Sequence, residues 1–139
     1  MNTRNRFGAV ALVALALALG TGGAALADSL FPPADGPLPA ASGMADTRYD
    51  LKIIVDTPWG GGYPAVTQFQ VSGLLPNTTY TFMVGEAASW PWWFYEVDFT
   101  TDRRGKGSGK ISWLGGGPGT AGYAVVDGAD VIVLVGQEE

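Results

Sequence analysis

The sequence contains no cysteine and no histidine among its 139 residues. The missing cysteines exclude a disulfide framework, a thiolate nucleophile and a cysteine zinc site, and the missing histidines exclude an imidazole base. Basic residues are also few, since 8 lysines and arginines stand against 13 aspartates and glutamates, for a net charge of −5. Nucleic-acid binders draw most of their affinity from basic side chains on phosphates, so this charge argues against that class.

An apolar run of 11 residues occurs near the start of the chain. Residues 9–19 are apolar, follow two arginines and precede the sequence Ala25-Leu26-Ala27. A charged start, a short apolar middle and an A-x-A end are typical of a secretory signal peptide. The run is shorter than the ~20 apolar residues of a membrane-spanning helix, although an uncleaved anchor is the alternative. We expect a helical signal peptide over residues 1–27 and a secreted, extracellular product without a transmembrane span.

The chain after residue 27 is predicted to hold one domain. It carries 6 basic and 13 acidic residues, a net charge of −7, and its length suffices for one core but not for two. Residues 28–47 combine four prolines with alanine, glycine and serine, which predicts a disordered lead-in. The β-domain is then expected over residues 48–139. Because a secreted domain without cysteine is held by packing alone, a bacterial source is favoured.

Alternating apolar and polar residues predict about seven short strands, and no long window shows helical spacing. The predicted strands cover residues 49–55, 66–72, 80–84, 93–99, 111–113, 123–126 and 130–135. In the third strand the inward residues are Tyr80, Phe82 and Val84. In the fourth, Trp93, Tyr95, Val97 and Phe99 face inward, while Glu96 and Asp98 face outward. Short strands between glycine and proline turns favour an all-β, antiparallel β-sandwich.

Two turns carry specific residue signals. Asp102 is suited to cap a type I turn, and Gly105 is suited to a positive φ three residues later. Asp127-Gly128 lies between two apolar runs, which is a strong hairpin signal.

The segment Gly73-Leu74-x-Pro76-x-Thr78-x-Tyr80 resembles the entry into a late strand of fibronectin type III and related immunoglobulin-like domains. The resemblance implies an immunoglobulin-like sandwich in which Tyr80 is structural, bonding back to nearby backbone with Leu74 beneath it. Several strands follow Tyr80 in this chain, whereas fibronectin type III has little room for them. The strand order is more similar to small secreted proteins of actinobacteria, including apoproteins of enediyne chromophores. Their disulfides are absent here, so the resemblance carries the sandwich and not the ligand.

An aromatic cluster supplies the candidate binding residues. If Trp93 and Tyr95 point into the core, then Trp92 and Phe94 point away from it, and Trp90 lies in the preceding loop. Exposed rings of this kind bind sugar faces or protein partners. With two further rings from a glycine-rich loop, the predicted ligand-binding residues are Trp59, Tyr63, Trp90, Trp92 and Phe94. The alternative is that these rings pack on the other sheet or on the lead-in.

Charged residues offer weaker candidates. Glu96 and Asp98 are two residues apart on one strand face, about 7 Å, a spacing compatible with a glycosidase pair. Solvated outward acids are the commoner case, so no catalytic residue is predicted. The basic hairpin tip at residues 103–110 suits an anionic polymer or membrane, but charged tips also keep hairpins soluble. No calcium-loop spacing is present, and no metal or cofactor is predicted.

These observations predict a secreted, non-enzymatic binding protein whose partner is an extracellular protein or glycan. One alternative is a carrier of an apolar small molecule, as the actinobacterial resemblance implies. The other is a small glycoside hydrolase that uses Glu96 or Asp98.

Overall fold

The computed structural model describes residues 27–58, 60–89 and 94–138. These residues form nine antiparallel β-strands and one short 3₁₀ turn, Ala87–Ser89. The strands are β1 Asp28–Phe31, β2 Ser42–Tyr49, β3 Val55–Thr57, β4 Gly60–Ser72, β5 Thr79–Glu86, β6 Phe94–Thr100, β7 Gly107–Gly115, β8 Ala121–Val126 and β9 Ile132–Gln137. The predicted all-β, antiparallel class is confirmed, with nine strands in place of about seven. In this described part, no helix has the length and apolar character needed to cross a membrane.

The strands form one sheet that curls until its two halves face each other. Its order is β4-β2-β1-β9-β8-β5-β6, and both β3 and β7 also pair with β4. The rings of Phe69 in β4 and Phe82 in β5 stack across the interior with their centroids 4.0 Å apart. The core therefore lies between two layers of strands, as in a sandwich.

Aromatic and branched aliphatic side chains fill this interior. Trp113 makes an edge contact with Tyr49, and Phe69 makes another with Phe99. Each such pair contributes about 0.5–1.5 kcal/mol beyond the area it buries. The largest fully buried side chains include Trp113, Tyr80, Phe69, Phe82, Leu30 and Leu134. The predicted inward residues of the third strand, Tyr80, Phe82 and Val84, are all buried.

Residues 28–47, predicted as a disordered lead-in, contain β1 and most of β2. β1 pairs with β2 on one side and with β9 on the other, so it joins the two halves of the sheet. The buried positions of β2 are Ala45, Thr47 and Tyr49. Because two of them are a small residue and a hydroxyl residue, the sequence shows no apolar alternation there. The four prolines fall in the connection between β1 and β2.

A chain of hydrogen bonds crosses the core. The Trp113 Nε1–H donates to Thr67 Oγ1 at 2.9 Å, and the hydroxyls of Thr67 and Thr47 are 2.7 Å apart. Thr47 Oγ1 lies 2.7 Å from the Tyr123 hydroxyl, which donates to Asp28 Oδ2 at 3.0 Å. Each hydroxyl has one hydrogen and the carboxylate at the end only accepts, so every hydroxyl donates to the next group in the same direction. The chain satisfies buried polar groups in β1, β2, β4, β7 and β8.

The predicted strand over residues 49–55 is wrong. β2 ends at Tyr49, and pairing with β4 resumes only at β3. Asp50 shapes the intervening turn, since its N–H donates to the Pro64 carbonyl at 2.8 Å and its carboxylate accepts the Lys52 N–H at 3.0 Å. The apolar Leu51 in this turn is exposed. Apolar and polar residues therefore alternate through a turn here. Over so few residues, alternation does not distinguish a turn from a strand.

The β4–β5 turn contains the tyrosine corner that the resemblance implied. Tyr80 is 1% exposed, and its hydroxyl accepts the Leu75 N–H at 3.1 Å. Leu74 is buried in the same cluster. The structural role predicted for Tyr80 is confirmed.

Both predicted hairpin turns are also confirmed. In the β6–β7 turn, Gly105 has φ of 77°, and the Asp102 carboxylate accepts backbone N–H groups at 2.7 and 3.0 Å. The turn around Asp127-Gly128 connects the antiparallel strands β8 and β9.

Candidate binding surface

The start of one strand and two connections meet at one end of the sandwich, which we call the loop end. They are the start of β4 at residues 60–63, the 3₁₀ turn after β5, and the β7–β8 connection at residues 116–120. Glu86, the last residue of β5, joins two of them. Its Oε2 accepts the Gly116 N–H at 2.7 Å and the Thr120 hydroxyl at 3.0 Å. The β7–β8 connection is therefore held against the end of β5.

Glycine gives this connection its shape. A Cβ on Gly116 would overlap the Glu86 carboxylate, so a larger residue there would require the Glu86 side chain to move. Gly117 has φ of 112°, a conformation that L side chains rarely adopt. The Ala87 N–H adds a 2.8 Å bond to the Thr120 carbonyl, so the glycine-rich sequence forms a tied turn with defined hydrogen bonds.

Tyr63, one of the predicted ligand-binding residues, forms a wall of the loop end. It pairs with Gly115 across β4 and β7, and it packs against the main core as a half-buried side chain. Its ring lies beside Gly117, where an added Cβ would meet the ring at 3.6 Å. Tyr63 therefore contributes only part of its surface to the outside.

Glu138 links the start of β8 to the end of β2, next to the β7–β8 connection. Its Oε1 accepts the Tyr49 hydroxyl at 2.8 Å and the Ala121 N–H at 3.2 Å. Burial, together with the hydrogen bond to Glu138, raises the pKa of Tyr49 well above its ordinary value. The Tyr49 hydroxyl is thus a neutral donor to the carboxylate at physiological pH.

Phe94 faces away from the main core, as predicted, but the expectation that it is exposed is wrong. It is 6% exposed and packs with Met83, Ala124 and Val126 in a second apolar cluster. This cluster covers the outer face of β5, β6 and β8. Every residue of β8 is buried, so the strand is covered on both faces. Its unbroken apolar sequence was the available signal for this second cluster.

A groove of about 220 Å³ opens beside Phe94 on this outer face. Its walls include Ala87, Phe94, Gly122, Ala124, Ile132 and Val135. It reaches the loop end, because Ala87 of the 3₁₀ turn forms one of its walls. Typical small-molecule pockets begin at about 300 Å³, so the groove fits one ring or a short acyl segment.

The two acids considered for catalysis lie on the outer face of β6. Glu96 is buried, whereas Asp98 is exposed and accepts the Thr81 hydroxyl at 2.7 Å. Neither of them lines the groove beside Phe94. Across residues 27–58, 60–89 and 94–138, no group of three or more carboxylates is placed to hold a metal ion.

The predicted binding residues Trp59, Trp90 and Trp92 lie outside the described residues, so their roles stay predictions. Their described neighbours Gly60 and Ser89 begin β4 and end the 3₁₀ turn, both at the loop end. Comparison with protein-family models, with curated proteins and with solved structures found no match to this chain.

Proposed function

We propose that the protein is a secreted, non-enzymatic β-sandwich that binds a partner outside the cell or in the cell envelope through the loop end. The observation that carries this proposal is the Glu86 carboxylate, which fastens the β7–β8 connection to the end of β5. Loops fixed before binding lose less conformational entropy when a partner binds. Binding residues also concentrate on loops that a rigid scaffold positions.

An extracellular glycan or protein surface suits the chemistry of this end. The connections that meet there contain or adjoin Trp59, Trp90 and Trp92 in the sequence. Tryptophan combines a large apolar ring with one hydrogen-bond donor, which suits sugar faces and the centres of protein interfaces. The apolar groove beside Phe94 could bind one ring or methyl-bearing group of the partner.

We infer that the sandwich is of the immunoglobulin-like type, and the tyrosine corner at Tyr80 supports this. The connectivity differs from that of immunoglobulin domains in one respect. Apart from the three-residue β3, β4 follows β2 directly in the chain, and it also pairs with β2. In immunoglobulin domains the second strand pairs instead with the fifth. Sandwiches of this class share their architecture without always sharing the order of strands.

A carrier of an apolar small molecule is the second candidate, and the groove beside Phe94 favours it. The space between the two halves of the sheet is filled by Trp113, Phe69 and Phe82, so a cargo would bind on the outer face. Native mass spectrometry of the secreted protein tests this candidate. A bound mass that denaturation releases would support a carrier, and its absence from freshly secreted protein would exclude one.

A small hydrolase is the third candidate, and the placement of its two acids does not favour it. Glycosidases direct two carboxyl groups at one bond, whereas Glu96 is buried and Asp98 is exposed. Glycan hydrolysis that disappears in Glu96→Gln would establish this activity.

Tryptophan fluorescence of the secreted protein with acrylamide, before and after addition of cell-wall glycans, tests the binding proposal. We expect strong quenching that the glycans relieve, above a constant contribution from the buried Trp113. Trp92→Ala should weaken glycan binding by at least about tenfold, as at the centre of an interface, while the thermal midpoint stays unchanged.

Leu75→Ala is the matched control, because Leu75 is exposed at the opposite end of the sandwich. It should leave glycan binding unchanged. Weak quenching with blue-shifted emission, or full binding by Trp92→Ala, would overturn the proposed binding through exposed tryptophans.

Secretion is tested by the N-terminus of the protein recovered from the medium. We expect mass spectrometry to show cleavage after Ala27, which leaves β1 intact because it begins at Asp28. A secreted protein that lacks the β1 residues would contradict this cleavage site.

A further inference from the structure

The end of the sandwich opposite the loop end concentrates positive charge. Arg103, Arg104 and Lys106 lie within the β6–β7 turn, and all three are exposed. The chain after residue 27 has only six basic residues, so half of them occupy this one turn. Among the described residues, none of the three takes part in an ion pair.

The one carboxylate of this turn is directed into its backbone. Asp102 Oδ1 accepts the Arg104 N–H at 2.7 Å and the Lys106 N–H at 3.0 Å. These backbone hydrogen bonds, with the neighbouring cations, hold the pKa of Asp102 below its ordinary value. The carboxylate shapes the turn, and the three cationic side chains extend into solvent.

An exposed apolar side chain lies beside the basic turn. Leu75, in the β4–β5 turn, is 53% exposed. Several hydrogen bonds join the two turns, among them one from the Thr101 hydroxyl to the Leu75 carbonyl at 2.6 Å and one from the Asn77 N–H to the Asp102 carbonyl at 3.0 Å. We call this pair of joined turns, residues 73–78 and 101–106, the basic end.

We propose that the basic end docks on the surface of an anionic phospholipid membrane. Cationic side chains pair with the headgroups, and an apolar side chain beside them enters the boundary with the acyl chains. A soluble polyanion would pair with the cationic side chains but would offer no apolar region for Leu75 to enter. Each cation adds about fivefold to membrane affinity, so three of them give reversible association and not permanent anchoring.

The rest of the molecule orients this encounter. Outside the basic turn, the chain after residue 27 has three basic against 12 acidic residues, and Asp102 is the one acidic residue within that turn. An anionic surface repels this remainder and attracts the basic end, so the molecule approaches with the basic end first. The loop end then points away from the membrane, where a partner can reach it.

Cosedimentation of the full chain with vesicles tests the proposal, using phosphatidylcholine with and without phosphatidylglycerol. We expect binding that requires phosphatidylglycerol and falls as salt is added. Arg103→Gln with Lys106→Gln should weaken it by at least about tenfold. Leu75→Ala should weaken it as well.

Arg48→Gln with Lys52→Gln is the matched control, because it removes the same charge at and just after the end of β2, away from the basic end, and should keep vesicle binding. Residues 1–27 are present in every variant and so contribute equally, and thermal midpoints confirm that each variant folds. Equal losses in the two double variants, or equal binding to both vesicle types, would overturn the proposal. Binding of soluble polyphosphate is measured as well. Tight binding of polyphosphate, with no effect of Leu75→Ala on vesicles, would replace the membrane by a soluble polyanion.

Failure of this proposal is separable from failure of the proposed function. The basic end and the loop end lie at opposite ends of the sandwich, and the variants of each leave the other unchanged.

Discussion

Gly105 and Asp130 occupy the same position in two hairpin turns of the same construction. In each turn an aspartate, Asp102 or Asp127, accepts the N–H groups of the residues two and four positions later. The residue three positions after the aspartate has a positive φ, 77° at Gly105 and 63° at Asp130. Aspartate tolerates this conformation better than most residues, so the second turn functions without glycine there.

Gly105→Ala is predicted to destabilise the protein by about 2 kcal/mol or more. An added Cβ would overlap the Leu74 carbonyl oxygen, in addition to the cost of a positive φ. Urea unfolding followed by circular dichroism measures the effect. Gly128→Ala is the control, because a Cβ there meets no atom within 4 Å, and it should change stability by less than about 1 kcal/mol. Equal effects of the two substitutions would contradict this assignment.

Single residues were predictable from the sequence where their roles are local. Asp102 and Gly105 are separated by three positions, and Tyr80 bonds to a backbone group five residues before it. Phe94 was not predictable in the same way. Its burial depends on Met83 and Ala124, which belong to other strands and cover it only after the sheet has formed.

At the scale of elements, β1 is linked to the core by its first residue, in addition to its pairing with β2 and β9. Asp28 ends the hydrogen-bond chain that runs from Trp113 through two threonines and Tyr123. Tyr123→Phe keeps the ring and removes the link to Asp28, so two buried polar groups lose a partner. We expect a loss of about 1–3 kcal/mol in the free energy of unfolding, measured in urea.

A double-mutant cycle with Thr47→Val separates this chain from simple packing. Because both residues belong to one chain, their effects should be non-additive by about 0.5 kcal/mol or more. Strict additivity would show that the two hydroxyls act independently, and the ordered chain would then be refuted.

Glu86 is predicted to order the β7–β8 connection without stabilising the core. In Glu86→Ala the amide of Gly116 loses its acceptor, so its hydrogen exchange should accelerate while the buried amides of β8 keep theirs. The affinity of Glu86→Ala for a partner at the loop end should also fall, because the connection is no longer ordered before binding. Glu86→Gln retains an acceptor oxygen and should recover most of the protection, whereas unchanged exchange in Glu86→Ala would remove the basis of the proposed function.

Element boundaries followed from the sequence only where large side chains alternate. The strands containing Phe82 and Phe99 were identified for this reason. β2 was missed because Ala45 and Thr47 face its core, and Thr47 is accommodated there by hydrogen bonds with groups distant in the chain. A threonine that is buried in this way has the same local pattern as a solvated one.

At the scale of the whole molecule, the sequence indicates layered strands but not which strands are neighbours. Glycine and proline turns between short apolar segments suffice to predict an antiparallel sandwich. The position of β1 between β2 and β9 depends on pairing across almost the full length of the chain. The groove beside Phe94 arises from that same assembly, since its walls come from β6, β8 and β9.

Burial of three tyrosines makes the whole molecule sensitive to alkaline pH. Burial raises the pKa of Tyr49, Tyr95 and Tyr123 above the ordinary value of 10.0. The folded protein therefore keeps these protons where the unfolded chain releases them. Their contribution to stability is fully present below about pH 10 and is lost as the pH rises further, because unfolding then releases protons.

We expect the free energy of unfolding in urea to decline from about pH 10 upward, with each protected tyrosine contributing up to about 1.4 kcal/mol per pH unit. Tyr49→Phe and Tyr123→Phe assign the decline to particular residues, because each removes one titrating group. Each should flatten the alkaline slope relative to the wild type. Slopes that stay parallel in both variants would show that these hydroxyls ionise as readily in the folded protein as in the unfolded chain.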